Sequence, residues 1–387
     1  MGVMDGFPPV EADRATLANW RNSPFNHWAF HHVREIVPSA ETANDLGDVW
    51  RLEEGALDLS AAGLPETMDA ASADAVAVIW NGALVHETYR RGMGPRDPHI
   101  LMSVSKSMLG LIAGTLVERG ELREDALATE YVPELAGTVY GDATIRNMLD
   151  MRVGVAFEED YLATDGPIID YRYAANWNPV PEGRDAGDLR SFMFKLTARD
   201  GGHGERFHYV SPNTDCLAWV MERASGMRYA DLVSERLWKP LGAETPGYVT
   251  VDRLGGARAA GGKCFTARDL ARVGAMMANG GRRGDGRQVI PESWIDDIEA
   301  NGDAEAWRIG DFYEKFGKLD MHYRSKWYVQ RGAEPLIHGL GIHGQYVFID
   351  RKRNLSIAWF SSRHEPISED GIGVVLSAVN RIREAAS

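Results

Sequence analysis

Two stretches near opposite ends of the chain read as β-hairpins, and any fold must either join them in one sheet or build a separate sheet around each. The first is AVAVIW, residues 75–80, followed by Asn81, Gly82 and ALVHETYRRG. Asn-Gly between two β-rich runs supplies the positive φ angles of a two-residue turn. The second is GQYVFID and LSIAWFSS flanking the polar turn RKRN, followed by a helix with Ile372, Val375, Leu376, Val379 and Ile382 at helical spacing. Residues 120–259 look mainly helical or irregular and show no clear alternation. One antiparallel sheet made from both ends, with a helical insertion between them, accounts for this order most simply. We therefore expect an α+β fold. Residues 1–119 and 260–387 form the α/β sheet domain, residues 120–259 form the mainly helical domain, and the site lies in the cleft between them.

Several helix signals fill this frame. Met108, Leu109, Ile112, Leu116 and Val117 make an apolar stripe, while Ser103, Lys106, Gly110, Ala113 and Gly114 make a second face of mostly small residues. Small residues let neighbours approach closely, as a helix in the middle of a protein requires. NTDCLAWVMERASG ends in glycine as a helix does, and DLVSERLWKPLG reads as a short helix halted by Pro240. TARDLARVGAMMANGG opens with Thr266 and Asp269 at capping-box spacing and stops at Gly280. Residues 1–70 read as irregular, with an aromatic and histidine cluster, NHWAFHHV, starting at Asn26.

With 44% hydrophobic and 25% charged residues, the 387-residue chain has ample material for a packed interior. A net charge of -14 and the lack of a Lys/Arg stripe interleaved with aromatics disfavour nucleic acid, so a cationic or neutral small molecule is the easier partner. Cys216 and Cys264 lie far apart without CxxC spacing, which predicts two buried free thiols. The first twenty residues are acidic and broken by prolines where a signal peptide is basic and then apolar, and no segment is apolar enough to span a bilayer. We expect a cytoplasmic protein with no membrane partner. No GxSxG, HExxH or HxHxDH run is present, and His31 and His32 lack metal-ligand spacing, so neither metal nor cofactor is expected.

The chemistry is carried by LMSVSKSMLG, residues 101–110, where Lys106 follows Ser103 by three residues at a predicted helix start. One helical turn puts the two on the same face, where an amine whose pKa is lowered by burial or by neighbouring positive charge is left unprotonated and can take the hydroxyl proton. The helix N-terminus adds an oriented N–H for negative charge on a substrate oxygen. As a bare pattern SxxK is weak, because average composition gives on the order of one chance match in a chain this long.

Its context is more specific. LMSVSKS, TIRNMLDM, ERLWKPLG, GGKCFTARDLARVG and IHGLGIHGQYVFID occur together, and from about Ala75 to the C-terminus the chain resembles the serine β-lactamase-like, penicillin-recognising hydrolases. NHWAF, VPSA, YVPELAG and FHYVSPNTD narrow the resemblance to the branch of 6-aminohexanoate-dimer hydrolases, the nylon-oligomer enzymes and related carboxylesterases. The resemblance implies a β-lactamase/penicillin-binding-protein-like fold and no cofactor. Ser103 is then the acylated nucleophile, Lys106 its base, and Tyr209 the residue that passes a proton to the leaving group. A positive Lys106 nearby lowers the phenol pKa toward the working range. The backbone N–H groups of Ser103 and Ile342 form the oxyanion hole. Tyr161 and Trp177 match aromatics that close over the substrate, and Trp327 forms another wall. Asn213, four residues after Tyr209 where the family commonly has Tyr-x-Asn, is a substrate-binding position that reads equally well as a helix N-cap.

Two departures bear on specificity. His338, Gly339, Leu340, Gly341, Ile342, His343 and Gly344 replace the Lys-Thr-Gly strand of penicillin-binding relatives, and loss of that lysine argues against a true β-lactamase. His343 falls at the substrate site, although both histidines also read as packed side chains. Where the branch places an acid for the substrate ammonium, between Tyr161 and Trp177, stands Arg172, with Asp165 and Asp170 the nearest acids. An arginine repels an ammonium group. The expected function is hydrolysis of linear amides such as 6-aminohexanoate dimer and of short-chain carboxyl esters through an acyl-enzyme. A carboxylesterase without useful amidase activity and a catalytically silent binding protein are the alternatives, and a homodimer stays open.

Overall fold

The two hairpins do share one sheet. A computed structural model describes residues 2–387, the side chains at 369 and 370 excepted. Strands β2 (Ala73–Trp80) and β3 (Ala83–Tyr89) pair across Asn81 and Gly82, whose φ angles are 51° and 81°. Strands β10 (Gln345–Asp350) and β11 (Leu355–Ser361) form the second hairpin, and β11 pairs antiparallel with β2. With β7 (Met321–Arg324), β8 (Trp327–Gln330) and β9 (Leu336–Gly341) the order is β3-β2-β11-β10-β9-β8-β7. A smaller sheet joins β1 (Ser39–Thr42), β5 (Gly247–Thr250), β6 (Lys263–Phe265) and β4 (His99–Ile100) in that order. The segment read as irregular thus supplies an edge strand.

Strand β2 is apolar from Ala75 to Trp80 because it is covered on both faces. Val76 and Val78 pack with Ile357 and Trp359 against Leu64 and Met68 of one helix and Val375, Val379 and Ile382 of the terminal helix, Glu369–Ala385. Ala75, Ala77 and Ile79 belong to the larger core on the opposite face, with Leu270, Val273 and Met277 of the helix Ala267–Ala278. Thr266 caps that helix by accepting the Asp269 N–H at 3.1 Å. Pro240, by contrast, does not halt its helix. The chain continues through a wide turn, Ser234–Trp238, with i to i+5 bonding, and ends after Leu241 at Gly242, φ 72°. The widened turn fits the constraint that a proline lacks an N–H and crowds the carbonyl four residues back.

The SxxK helix, Val104–Glu118, lies between these layers and is buried from Val104 to Leu116. Its small face is what admits neighbours. A Cβ on Gly110 would stand 1.9 Å from the Ser325 carbonyl oxygen, and one on Gly114 would stand 2.6 Å from the Trp294 ring. Trp294 in turn donates its indole N–H to the Gly110 carbonyl at 3.0 Å.

Gly110→Ala is a sharp test of this packing. Helix propensity favours alanine by about 1 kcal/mol, but overpacking against a fixed backbone costs about 1–3 kcal/mol or more, so the clash wins. Gly373, in the exposed part of the terminal helix with nothing within 4 Å of an added Cβ, has only the propensity term. Urea unfolding midpoints are expected to fall for Gly110→Ala and to rise slightly for Gly373→Ala. Equal shifts would show that the small face is not a packing requirement.

Candidate active site

Ser103 is presented by a sharp turn. Ile100 pairs with Cys264 in the small sheet, and Leu101 donates its N–H to the Lys263 carbonyl at 2.8 Å. Met102 then takes a left-handed φ of 44°, a conformation that costs on the order of 1–3 kcal/mol in a non-glycine residue and persists only where neighbours enforce it. The chain enters the helix immediately afterwards, leaving the Ser103 side chain half-buried at its N-cap and facing a cavity.

Lys106 is 1% exposed, and its Nζ lies 2.8 Å from Ser103 Oγ and 2.8 Å from the Ala260 carbonyl, to which it donates. Burial pulls its pKa down to about 8, helped by the Arg258 charge and opposed by Glu159 and Asp215. The result is an amine that loses its proton near neutrality, as a base must. Asp215 holds the Ala260 loop by accepting its N–H at 2.8 Å and is itself ion-paired with Arg258.

Tyr209 borders the same cavity as Ser103 and Tyr328, and its ring centroid lies 4.9 Å from Lys106 Nζ. The expected fall in its pKa does not occur. Burial dominates and the Glu159 charge adds to it, so the phenol is pushed up and stays protonated. Its position is fixed through the backbone: the Tyr209 N–H donates to Asp311 Oδ2 at 2.9 Å, and His208 Nδ1 meets the same oxygen at 2.8 Å. His208 Nε2 faces the Val155 carbonyl at 2.9 Å, so both ring nitrogens face acceptors. That arrangement favours the imidazolium, and the His208 pKa is raised accordingly.

The β9–β10 turn completes the cluster. A Cβ on Gly341 would stand 2.7 Å from the Leu101 carbonyl oxygen and 3.1 Å from Met102 Cβ, so the end of β9 lies along the segment that carries Ser103. Ile342 follows directly, ahead of His343 and Gly344 with φ of 60° and 88°. Ser103 and Ile342 border two cavities that meet at the serine, of about 390 Å³ and 130 Å³. The larger is bordered by Tyr161, Arg172 and Trp177, the smaller by Tyr209, Tyr328 and Phe312.

Seven of the residues singled out in the sequence therefore converge: Ser103, Lys106, Tyr209, Ile342, Tyr161, Arg172 and Trp177. Trp177 is a fixed wall, 4% exposed, with its indole N–H on Thr250 Oγ1 at 3.0 Å. Two others are corrected, and His343 is at the cavity as expected but packed. Trp327 is fully buried in the core, because on β8 it faces opposite to Tyr328, and Tyr328 is the residue that reaches the cavity. Asn213 is fully buried and accepts the Tyr140 hydroxyl at 3.0 Å, away from both cavities. Nor is it the N-cap, a place taken by Ser211. His343 touches the larger cavity, but its ring is 4% exposed, with Nδ1 2.8 Å from the Arg363 carbonyl, and burial lowers its pKa to about 4. It is a packed neutral histidine. His338 is buried likewise, stacked on Tyr328.

Glu159 is the functional neighbour that sequence reasoning missed. It accepts from the Tyr161 hydroxyl at 2.9 Å and from the N–H and hydroxyl of Ser211. The carboxylate at the cavity lies two residues before Tyr161, not between Tyr161 and Trp177. Asp170, one of the acids found there, pairs with Arg184.

The model of the beta-lactamase family matches residues 63–377. The chain belongs to the beta-lactamase family. A 6-aminohexanoate-dimer hydrolase of Paenarthrobacter ureafaciens is 35% identical over 387 residues, covering 98% of this chain and 97% of the relative. A Bacillus anthracis structure provisionally named a 6-aminohexanoate-dimer hydrolase superposes with a TM-score of 0.86 at 26% identity, covering 98% of each chain. A family VIII carboxylesterase shares the fold, with a TM-score of 0.62 at 15% identity over 85% of this chain and 99% of the other. The resemblance read from the motifs is borne out in family and fold, and this beta-lactamase-family chain is a serine hydrolase.

Asp311→Ala removes the acceptor that fixes the Tyr209 backbone. Ester turnover is expected to show kcat reduced by roughly ten-fold to a hundred-fold, with KM changed much less, and partial recovery in Asp311→Asn, which keeps one acceptor. A change confined to thermal stability would assign His208 and Asp311 to folding alone.

Proposed function

We propose that the chain hydrolyses short carboxyl esters and linear amides of the 6-aminohexanoate-dimer kind through an acyl-enzyme on Ser103. The observation that carries this reading is a fully buried amine 2.8 Å from the Ser103 hydroxyl, with the Tyr209 ring centroid 4.9 Å from the same amine. Lys106 takes the Ser103 proton as Oγ bonds to the substrate carbonyl carbon, and the carbonyl electrons move to oxygen. The N–H groups of Ser103 and Ile342 are the donors we assign to that oxyanion. Collapse breaks the bond to the alcohol or amine, which takes a proton from Tyr209. The phenolate regains one from the Lys106 ammonium, a downhill transfer because the phenol pKa lies above that of Lys106. Water then hydrolyses the ester on Ser103 and releases the acid.

Amide cleavage is supported by the Paenarthrobacter relative, 35% identical over nearly the whole chain. Ester turnover is expected to exceed dimer turnover, because Arg172 borders the larger cavity and disfavours the dimer's ammonium end.

The test is phenol release from a p-nitrophenyl short-chain ester beside amine release from the dimer. Ser103→Ala is expected to abolish both, and Lys106→Ala to lower kcat by roughly 10²–10⁴-fold. Because Lys106 is active only when unprotonated, kcat/KM should rise with pH and level off above about 8. Glu159→Gln removes a charge that raises the Lys106 pKa, so the rising limb should move to lower pH. Ester turnover that survives in Ser103→Ala would refute the acyl-enzyme.

A further inference from the structure

Both cavities that meet at Ser103 are bordered by cations, the smaller by Lys315 and Arg363 beside Glu365, and they differ in how the cations are placed: Lys315 is exposed, whereas those of the larger cavity are guanidiniums recessed from water. If Tyr209 serves the leaving group, as proposed above, the leaving group lies in the smaller cavity, which Tyr209 borders, and the acyl chain lies in the larger one, which it does not. Three guanidiniums, of Arg21, Arg172 and Arg258, border the larger cavity. Arg258 is already matched by Asp215 and bonded to the Tyr171 hydroxyl. Arg21 and Arg172 are not matched. Arg21 bonds to the neutral Asn178 side chain and lies over the Trp20 and Trp177 rings, and Arg172 donates to the Tyr161 carbonyl at 3.0 Å. A guanidinium offers five N–H donors, so most of these remain available. Among the described residues neither forms an ion pair, and each suffers from burial and from the Arg258 charge.

The carboxylate of that cavity, Glu159, attracts Arg172 but spends its oxygens on Tyr161 and Ser211. Glu365 also borders the cavity and is exposed to water. The recessed positive charge exceeds what these groups directly bind, and an incoming anion would find planar, partly desolvated donors suited to a carboxylate.

We propose that the larger cavity binds an acyl chain ending in a carboxylate, held by Arg21 and Arg172, so that the chain acts on half-esters or half-amides of linear dicarboxylic acids. Hydrolysis releases the free diacid, and the reaction that supplies the substrate is mono-acylation of an alcohol or amine by a diacid. The proposal rests on the acyl-enzyme reading above.

The experiment compares three p-nitrophenyl esters of equal chain length: hexanoate, 6-aminohexanoate and monoadipate. The monoadipate is expected to have a kcat/KM at least about ten-fold above hexanoate, with 6-aminohexanoate lowest. Arg172→Gln and Arg21→Gln should each bring the adipate-to-hexanoate ratio toward one, and Arg172→Lys, which keeps the charge without the fork, should keep part of it. Adipate binding to the unmodified protein by calorimetry gives a readout independent of turnover. Binding at least about ten-fold tighter than that of hexanoate, and weakened in Arg172→Gln, supports the subsite even if no ester is cleaved, in which case only the acyl-enzyme reading fails. Equal binding of the two acids, or a preference for the cationic ester, overturns the proposal, the second result pointing to Glu159 as an ammonium site.

Discussion

Removing the Lys106 ammonium from water costs several kcal/mol unless the charge is matched or given up, and the fold answers by doing part of each. The amine has two fixed oxygen partners, Ser103 Oγ and the Ala260 carbonyl, and no carboxylate in contact. Glu159 and Asp215 act on it from a distance, enough to keep its pKa at about 8 without pinning the proton. A direct ion pair would stabilise the protein and ruin the base. The Asp215–Arg258 pair is therefore informative: Asp215 neutralises Arg258 and holds the Ala260 loop by its N–H, leaving the carbonyl of the same residue for Lys106.

Two further buried lysines pack around the SxxK helix. Lys263 donates to the Ser105 and Ala259 carbonyls and to the Tyr229 hydroxyl, and Lys326 donates to the Met148 carbonyl. Burial pushes both well below the ordinary lysine value, and each feels Lys106 as a like charge. Lys263 ties β6 to the SxxK helix through the Ser105 carbonyl, while the 325–326 turn is tied to it by the Ser107 hydroxyl, which donates to the Lys326 carbonyl at 2.9 Å. The close approach this requires is what Gly110 permits, with the Ser325 carbonyl in the space a Cβ would fill. The chemistry at Ser103 thus depends on residues more than two hundred positions away.

Local rules made the frame legible in the sequence. Asn81-Gly82 between two β-rich runs placed the hairpin of β2 and β3, and SxxK at a helix start placed nucleophile and base one turn apart. What failed were judgements about which way a side chain points once elements pack. Trp327 and Tyr328 are adjacent aromatics, and only the strand's tertiary setting decides that the first is core and the second reaches the cavity. Asn213 lay close to Tyr209 in sequence, yet its place in the first turn of a buried helix aims it at Tyr140. The Tyr209 phenol was misjudged because a nearby lysine was credited with full charge, whereas burial weakens that charge and raises the phenol at the same time. Asp311 carried no signal, since its role comes from contacts with residues 102 and 103 positions away, and Glu159 was marked only by its place two residues before Tyr161.

The overall charge of -14 pointed to a cationic or neutral partner, while the larger cavity is bordered by arginines. These two facts are reconciled by distance. At physiological salt the Debye length is about 8 Å, so surface carboxylates farther away than this contribute little inside a cavity. Within it, two guanidiniums at the edge of a low-dielectric wall interact with a ligand charge far more strongly than the same groups would in water. The acidic surface slows the approach of an anion without deciding how tightly one is held once inside. Net charge is thus a statement about encounter and solubility. Selectivity is set by the few charges that face the acyl chain, and here Arg21 and Arg172 face it without ion-pair partners among the described residues, while Glu159 is already engaged by three donors.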